Sequence, residues 1–406
     1  MSAAGGRLAR VAALGLALAA APAAPAGAAD LPLGPASLHE RRATATVAPG
    51  VAWTRIVRSG GPWRVHVVRV DRRRLAGRAT AVLSGGATEG VSRTSAMAPR
   101  GRAWAAVNGG YFNVTGEPVG VLALGGELAS EPVGARSALL VPRDRGAAPR
   151  VEALRWAGTV EAGGRVRLLD GVDRRRGRIP ACGGVGGDLP TQRPNPFVTC
   201  RDASELVLLT PRFGARTRTA PGGHEAILRG GRVVSVRRGG DAPIPRDGQV
   251  LSGTGDAAAF LRAAAPVGAG PRVRALLRAG AQTVDPADHE SISGGGPRLV
   301  RDGRVTVTAA AEGFPRADAR SRQPRTLAGV DARGRLLLVT VDGRRPGWSA
   351  GVTLAEAART MIALGARDAL ALDGGGSTTM VIRGRVVNRP SGGSERGVSD
   401  AIVVTR

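Results

Sequence analysis

Lysine is absent from this chain. All 58 basic residues of its 406 are arginine, against 32 acidic residues, for a formal net charge of +26. The arginines run from Arg7 to Arg406 instead of gathering in one tail or stripe. That pattern reads as an Arg-for-Lys composition more than a nucleic-acid footprint, which usually mixes both residues and clusters them. Aromatic residues are also scarce, with five Trp, five Phe and one Tyr, too few and too scattered for a base-stacking groove. No specific nucleic acid is therefore expected as a partner. The four histidines, His39, His66, His224 and His289, stand at no metal-ligand spacing. They leave little material for a His-based zinc site or a Ser-His-Asp triad. Beyond the N-terminus no apolar run approaches the roughly 20 residues that span a bilayer, so the mature chain is expected to carry no transmembrane segment. Only two cysteines occur, Cys182 and Cys200. In an exported protein they are expected to pair across their Gly- and Pro-rich loop.

What is present points outward from the cell. Arg7 and Arg10 precede an apolar stretch, Val11 to Ala21, and a small-residue site, Ala26-Gly27-Ala28. These are the parts of a secretory signal peptide, placed at 1–28, and they predict a secreted, extracellular protein. Residues 29–50 read as a flexible lead-in. Residues 51–406 read as one large domain, with a Cys-bridged insertion at about 170–204. The hydrophobic fraction of 43% is enough for a sizeable core.

Short apolar runs broken by Gly, Asp-Gly and Pro predict many strands joined by hairpins. They include 63–70, 103–107, 137–141, 205–210, the hairpin around Gly230-Gly231, and the pair 326–331 and 335–341. Helices are few. One is expected over 256–265. A second starts at the capping box Thr353-Leu354-Ala355-Glu356 and presents Leu354, Ala357, Ala358, Met361 and Leu364 on one face. The expected class is α+β, a largely antiparallel mixed sheet with few packed helices.

Four Gly-rich loops each put a polar residue at a strand end: Asn108-Gly-Gly-Tyr111, Ser293-Gly-Gly-Gly-Pro, Val341-Asp342-Gly343, and Leu372-Asp373-Gly-Gly-Gly-Ser377. Glycine lets backbone approach a ligand and frees N–H groups for anions. It is also the ordinary residue of a hairpin turn, and Asp342 reads equally as turn or site. Asp373 differs, because it ends the apolar strand Ala369–Leu372 at the rim of a core, where a carboxylate needs a partner or a ligand.

The order of motifs resembles the phosphodiester glycosidase family: NGGYFN at 108–113, GGGPRLVRDGR at 294–304, RTLAGVD at 325–331, VDGR at 341–344, LDGGGSTTMV at 372–381, VVNRPS at 386–391 and ER at 395–396. The resemblance runs from about 50 to 406 and is densest from 290 on. It implies an exported hydrolase that acts on a glycosyl phosphodiester. Cleavage at an anomeric carbon usually uses two carboxylates, and Asp373 and Asp342 are the candidates, with Asp373 as base or nucleophile. A phosphate ester is already a good leaving group, so an anion cradle matters more than an acid. The backbone of Gly295, Gly296, Gly374, Gly375 and Gly376 with the Ser377 hydroxyl would form it, and Arg325 and Arg396 would pair with the phosphate. Asn108 and Asn388 would orient sugar hydroxyls, and Tyr111 would supply a stacking face. Glu117, Glu290 and Glu395 stand in reserve. No cofactor is required, although Asp342, Asp373 and Asn108 are oxygen donors that a Ca or Mg ion would accept. The expected partner is a glycosyl-phosphodiester or an anionic cell-envelope polymer. A non-catalytic cell-wall or polysaccharide-binding protein using the same cradle is the alternative.

Overall fold

A computed structural model describes residues 30–406, apart from 60–61, 180–181, 183–186 and 196–197. The signal peptide expected at 1–28 lies outside the described residues. Strands account for 44% of the structure and helices for 10%, so the class is mostly β rather than α+β. The difference follows from the short apolar runs, which pair with one another as hairpins and leave helix to a few segments. The two longest helices are Gly255–Ala264 and Leu354–Ala363.

An eight-stranded sheet forms the centre. Its order is Glu40–Ala48, Val51–Arg58, Trp63–Val70, Leu336–Val341, Arg325–Asp331, Ala366–Ala371, Arg298–Arg301 and Arg304–Val305. Its inner strands are buried on both faces, and the period-two alternation of a strand sorts their side chains between two cores. Val65, Val67, Leu337, Val339, Ala369 and Ala371 face one core, which also takes Leu354, Ala357, Ala358 and Met361 of the helix. Val68, Val70, Leu336, Leu338, Leu370 and Leu372 face the other. That second core is shared with a five-stranded sheet, ordered Arg385–Val386, Met380–Ile382, Ala103–Asn108, Asp400–Thr405 and Ala79–Leu83. The layers are thus helix, eight-stranded sheet and five-stranded sheet.

A further five-stranded sheet contains Leu206–Leu209, Gly248–Gly253 and Gly223–Arg229. Its pairing of Gly171–Val172 with Leu206–Leu209 is parallel. Cys182 and Cys200 are joined by a disulfide, with Cα atoms 5.5 Å apart.

The lead-in expected to be flexible over 29–50 is corrected. Leu31 and Leu33 are buried in the first core beside Trp63, and Glu40–Ala48 is an edge strand paired with Val51–Arg58. Its charged and small residues suit an edge strand, exposed from Ala43 to Thr46 and buried only at Val47 and Ala48.

Candidate active site

The ends of strands from both sheets meet at one rim. Asn108 closes Ala103–Asn108, Asp342 follows Leu336–Val341, Asp373 follows Ala366–Ala371, and Arg325, Met380 and Asp400 open their own strands. Asp373 is half-buried. Its backbone N–H donates to Gly109 O at 3.1 Å, and its carbonyl accepts from Asn108 Nδ2 at 2.7 Å. Burial pushes its carboxyl up to about 6. The nearby Ser377 hydroxyl, the Arg396 charge and the Gly374 N–H pull the other way.

Sequence reasoning placed the second carboxylate at Asp342, and the structure corrects this. Asp342 is 1% exposed. It accepts from Trp348 Nε1 at 2.8 Å, Asn388 Nδ2 at 3.1 Å and the Arg389 N–H at 3.1 Å. All its capacity is turned inward, so it holds loops together and does not face a substrate. The carboxylate coupled to Asp373 is Asp400, which the sequence reading missed. Asp400 is 2% exposed, and burial together with the Asp373 charge pushes it up to about 7. Its Oδ2 accepts from the Gly110 N–H at 3.3 Å. A side chain at Gly109 would run into that carboxylate, so this turn needs glycine to pass over Asp400.

Both asparagines take backbone roles instead of facing sugar hydroxyls. Asn108 is fully buried. Its Nδ2 donates to Asp373 O and weakly to Gly109 O, and its Oδ1 accepts from Thr326 Oγ1 at 2.7 Å and Thr379 N–H at 3.1 Å. An amide has four such bonds to make, and these are four. Asn108 therefore ties the two sheets together beneath Asp373. Asn388 donates to Asp342 Oδ1 and Thr378 O and accepts from the Met380 N–H, so it fixes the far end of the same loop.

The cradle is narrower than the glycine count suggested. Gly374 N–H faces the Asp373 carboxylate, and Gly375 N–H donates to Pro324 O at 2.8 Å. Among the described residues, Gly376 N–H is the one of the three without a partner. Ser377 Oγ is buried with no hydrogen bond of good geometry, although it lies close enough to Asp373 to favour its charged form. Gly295 and Gly296 N–H groups donate to Ser137 O and Ala371 O, so these two glycines serve close packing.

Arginines surround the loop. Arg396 is exposed, and its guanidinium carbon lies 3.2 Å from where a side chain at Gly376 would begin. Arg344, also exposed, stands 3.4 Å from the same position on Gly375 and bonds Gln323. Arg344 was not singled out from the sequence, although VDGR contains it. Arg325 is buried, and it donates to Val352 O, Asp318 O and Ser321 O. Those three carbonyls take the Nε and Nη2 edge of the guanidinium that was expected to meet phosphate, and burial lowers its pKa.

Tyr111 forms the opposite wall. Its OH donates to Gly296 O at 2.9 Å, and its ring meets Phe314 at 5.4 Å, tilted by 46°. Burial and the Asp373 charge hold the phenol above its ordinary range. Arg136 lies 4.6 Å over the Phe314 ring, with Nε on Glu312 O. Phe314 and Arg136 carried no motif signal. The reserve carboxylates have other partners: Glu117 bonds Asn113 and Thr115, Glu290 pairs with Arg78, and Glu395 bonds Ser95. Asp342, Asp373 and Asn108 do not form a cation set, since the first and last are saturated. No group of three or more His, Cys, Asp or Glu among the described residues is placed to hold a metal ion.

Comparison with known proteins gives a family match over part of the chain and likenesses of fold. The phosphodiester glycosidase family model matches residues 222–405. A Burkholderia pseudomallei structure assigned as an exported protein superposes with a TM-score of 0.78 at 25% identity, over 92% of this chain and 98% of its own. A hypothetical protein from Synechocystis gives 0.68 at 24% identity, over 87% of this chain and 62% of its own, which is a likeness of fold. The SPbeta prophage-derived uncharacterized protein YomE of Bacillus subtilis (strain 168) is 35% identical over 89 residues, 22% of this chain, and the match spans only 14% of that relative's length. Over residues 222–405, then, the chain matches the phosphodiester glycosidase family, and Arg325, Asp373, Ser377, Arg396 and Asp400 all lie within the matched segment.

Proposed function

We propose that the protein is a secreted hydrolase that cleaves the glycosyl-phosphate bond of a sugar-1-phosphodiester, with cell-envelope polysaccharide as the natural source of that linkage. One observation carries the reading. A half-buried carboxylate, Asp373, sits at a glycine turn flanked by two exposed arginines, Arg344 and Arg396, beside a tilted aromatic pair. A site for anions alone would gain nothing from a carboxylate at its centre. A site for a glycosyl phosphodiester needs both.

In this reading Arg344, Arg396 and the Gly376 N–H receive the phosphate, and the Tyr111–Phe314 pair receives the sugar. The bond from the anomeric carbon to the phosphate oxygen breaks, and the phosphomonoester leaves with the bonding electrons. Asp373 either takes the proton of the attacking water or attacks the carbon itself, and water completes the second route. The anomer first released distinguishes the two. Burial and the Asp373 charge favour the protonated form of Asp400, so the buried pair is set to share a single negative charge.

The test is a panel of glycosyl-1-phosphodiesters incubated with the purified protein, with Asp373→Asn beside it. The wild type is expected to release sugar. The variant is expected to lose on the order of 10²–10⁴ in kcat. Retention of turnover within tenfold would remove Asp373 from the chemistry. Tight binding with no turnover by either protein would favour a polysaccharide-binding role.

A further inference from the structure

Trp348 is half-buried and carries two guanidinium groups over its ring, Arg64 at 4.7 Å and Arg389 at 4.9 Å. Two features lock this stack in place. Trp348 Nε1 and the Arg389 N–H both donate to Asp342, and the neighbouring Arg345 donates twice to Pro390 O. The stack is also continuous with the catalytic loop. Asn388, next to Arg389, bonds both Asp342 and Thr378 O. From Arg389 the chain runs on to Arg396, whose guanidinium lies against Gly376. The other side of the stack leads back to Arg344 beside Gly375.

Among the described residues, none of Arg64, Arg344, Arg345, Arg389 or Arg396 makes an ion pair with a carboxylate within 4 Å. Asp342, the acid in their midst, points inward. Arg55 adds a further repulsive charge next to Arg64. Asp342 and Asp373 act on these arginines only at a distance and offset part of their charge, so the like charges held together store repulsion that a bound anion relieves. Guanidinium groups ordered on an aromatic face lose little freedom on binding and keep their N–H edges for phosphate oxygens.

We infer that Arg64 and Arg389, stacked on Trp348, form a second phosphate subsite that holds the next phosphodiester of a glycosyl-phosphate chain whose first linkage lies at Asp373. This rests on the proposed hydrolase reading, and it makes the preferred substrate a repeating anionic oligomer.

The experiment compares a methyl glycosyl-1-phosphodiester with a synthetic pentamer of the same sugar-1-phosphate, on wild type, Arg64→Gln/Arg389→Gln and Arg64→Lys/Arg389→Lys. The Gln pair keeps the Arg389 backbone bond to Asp342. The wild type is expected to show a lower KM for the pentamer than for the monomer. The Gln pair should raise pentamer KM roughly tenfold and leave monomer kcat/KM within about twofold. Its salt slope for pentamer binding should fall by about 0.7 per arginine removed. The Lys pair should recover part of the affinity. Equal loss on both substrates would overturn the inference and leave a structural role, as would no preference for the pentamer. Competition by single-stranded DNA as strong as by the pentamer would also overturn it, because the patch would then read bulk charge. Pentamer binding is measured by calorimetry as well. Binding that depends on the two arginines without turnover would support the subsite and sink the hydrolase reading. Absence of both binding and turnover would sink the two together.

Discussion

Two buried carboxyls stand at the centre of the site, both raised by burial, and the charge of Asp373 helps to hold the proton of Asp400. Under the proposed mechanism Asp373, pushed up to about 6, acts in its charged form, so kcat/KM should rise with pH along a limb centred near 6. Burial first and then the Asp373 charge hold the proton of Asp400, which is pushed up to about 7. Asp400→Asn copies the protonated form. It should leave the acid limb in place and remove any fall in rate near pH 7. Loss of the acid limb in this variant would mean that the two assignments are exchanged. The same variant tests stability. A carboxyl that binds its proton more tightly folded than unfolded stabilises fully below its unfolded pKa of about 3.9, and that contribution disappears as pH rises through 7. Thermal melts of Asp400→Asn should therefore depend less on pH over that interval than those of the wild type. At the glycine loop, Arg396→Ala and Arg344→Ala should each raise KM by about 10- to 100-fold, the range of a charge-assisted hydrogen bond. Arg325→Ala should instead lower the melting temperature, since its guanidinium is bound to three backbone carbonyls. Thermal melts and KM measured on the same samples separate the two kinds of arginine.

At the scale of elements, the helix Leu354–Ala363 behaves as its sequence indicates. Thr353 Oγ1 accepts from the Glu356 N–H, and Glu356 returns a bond to the Thr353 N–H. Thr353→Ala should cost about 1 kcal/mol in urea unfolding. Strands were legible for the same reason, since apolar alternation and Gly turns are local signals. Leu327 and Ala328 fall to opposite cores as the period of two requires. The class was read with too much helix because pairing among short strands is not a local property. In the site, Asp373 stood out because an acid at the end of an apolar strand is conspicuous in one dimension. Asp400 did not, because what makes it part of the site is its approach to Gly109 and Gly110, the latter 290 residues away in sequence. Asn108 and Asn388 were found as residues but given the wrong task. Nothing local tells whether an amide at a strand end faces solvent or the backbone of a neighbouring sheet.

For the whole molecule, the charge of +26 includes arginines tied into ion pairs and carbonyls and a set around the glycine loop, Arg344 and Arg396, that makes no ion pair within 4 Å among the described residues and has Asp373 as its nearby acid. That set gives the net charge a direction, because clustered cations at a cleft steer anionic ligands toward it.

The five-stranded sheet adds a separate consequence. Asp400–Thr405 lies between Ala103–Asn108 and Ala79–Leu83, and Met380–Ile382 also pairs with Ala103–Asn108. Leu336–Val341 likewise pairs with Trp63–Val70. The segment that carries the family match is therefore interleaved with strands from residues 63–108, and the matched segment is not the unit that folds. Residues 222–405 produced alone would expose the unpaired edges of those strands and should aggregate, as judged by light scattering. Co-production with residues 30–221 should restore a soluble complex, as a split protein whose halves are sewn together by shared sheets.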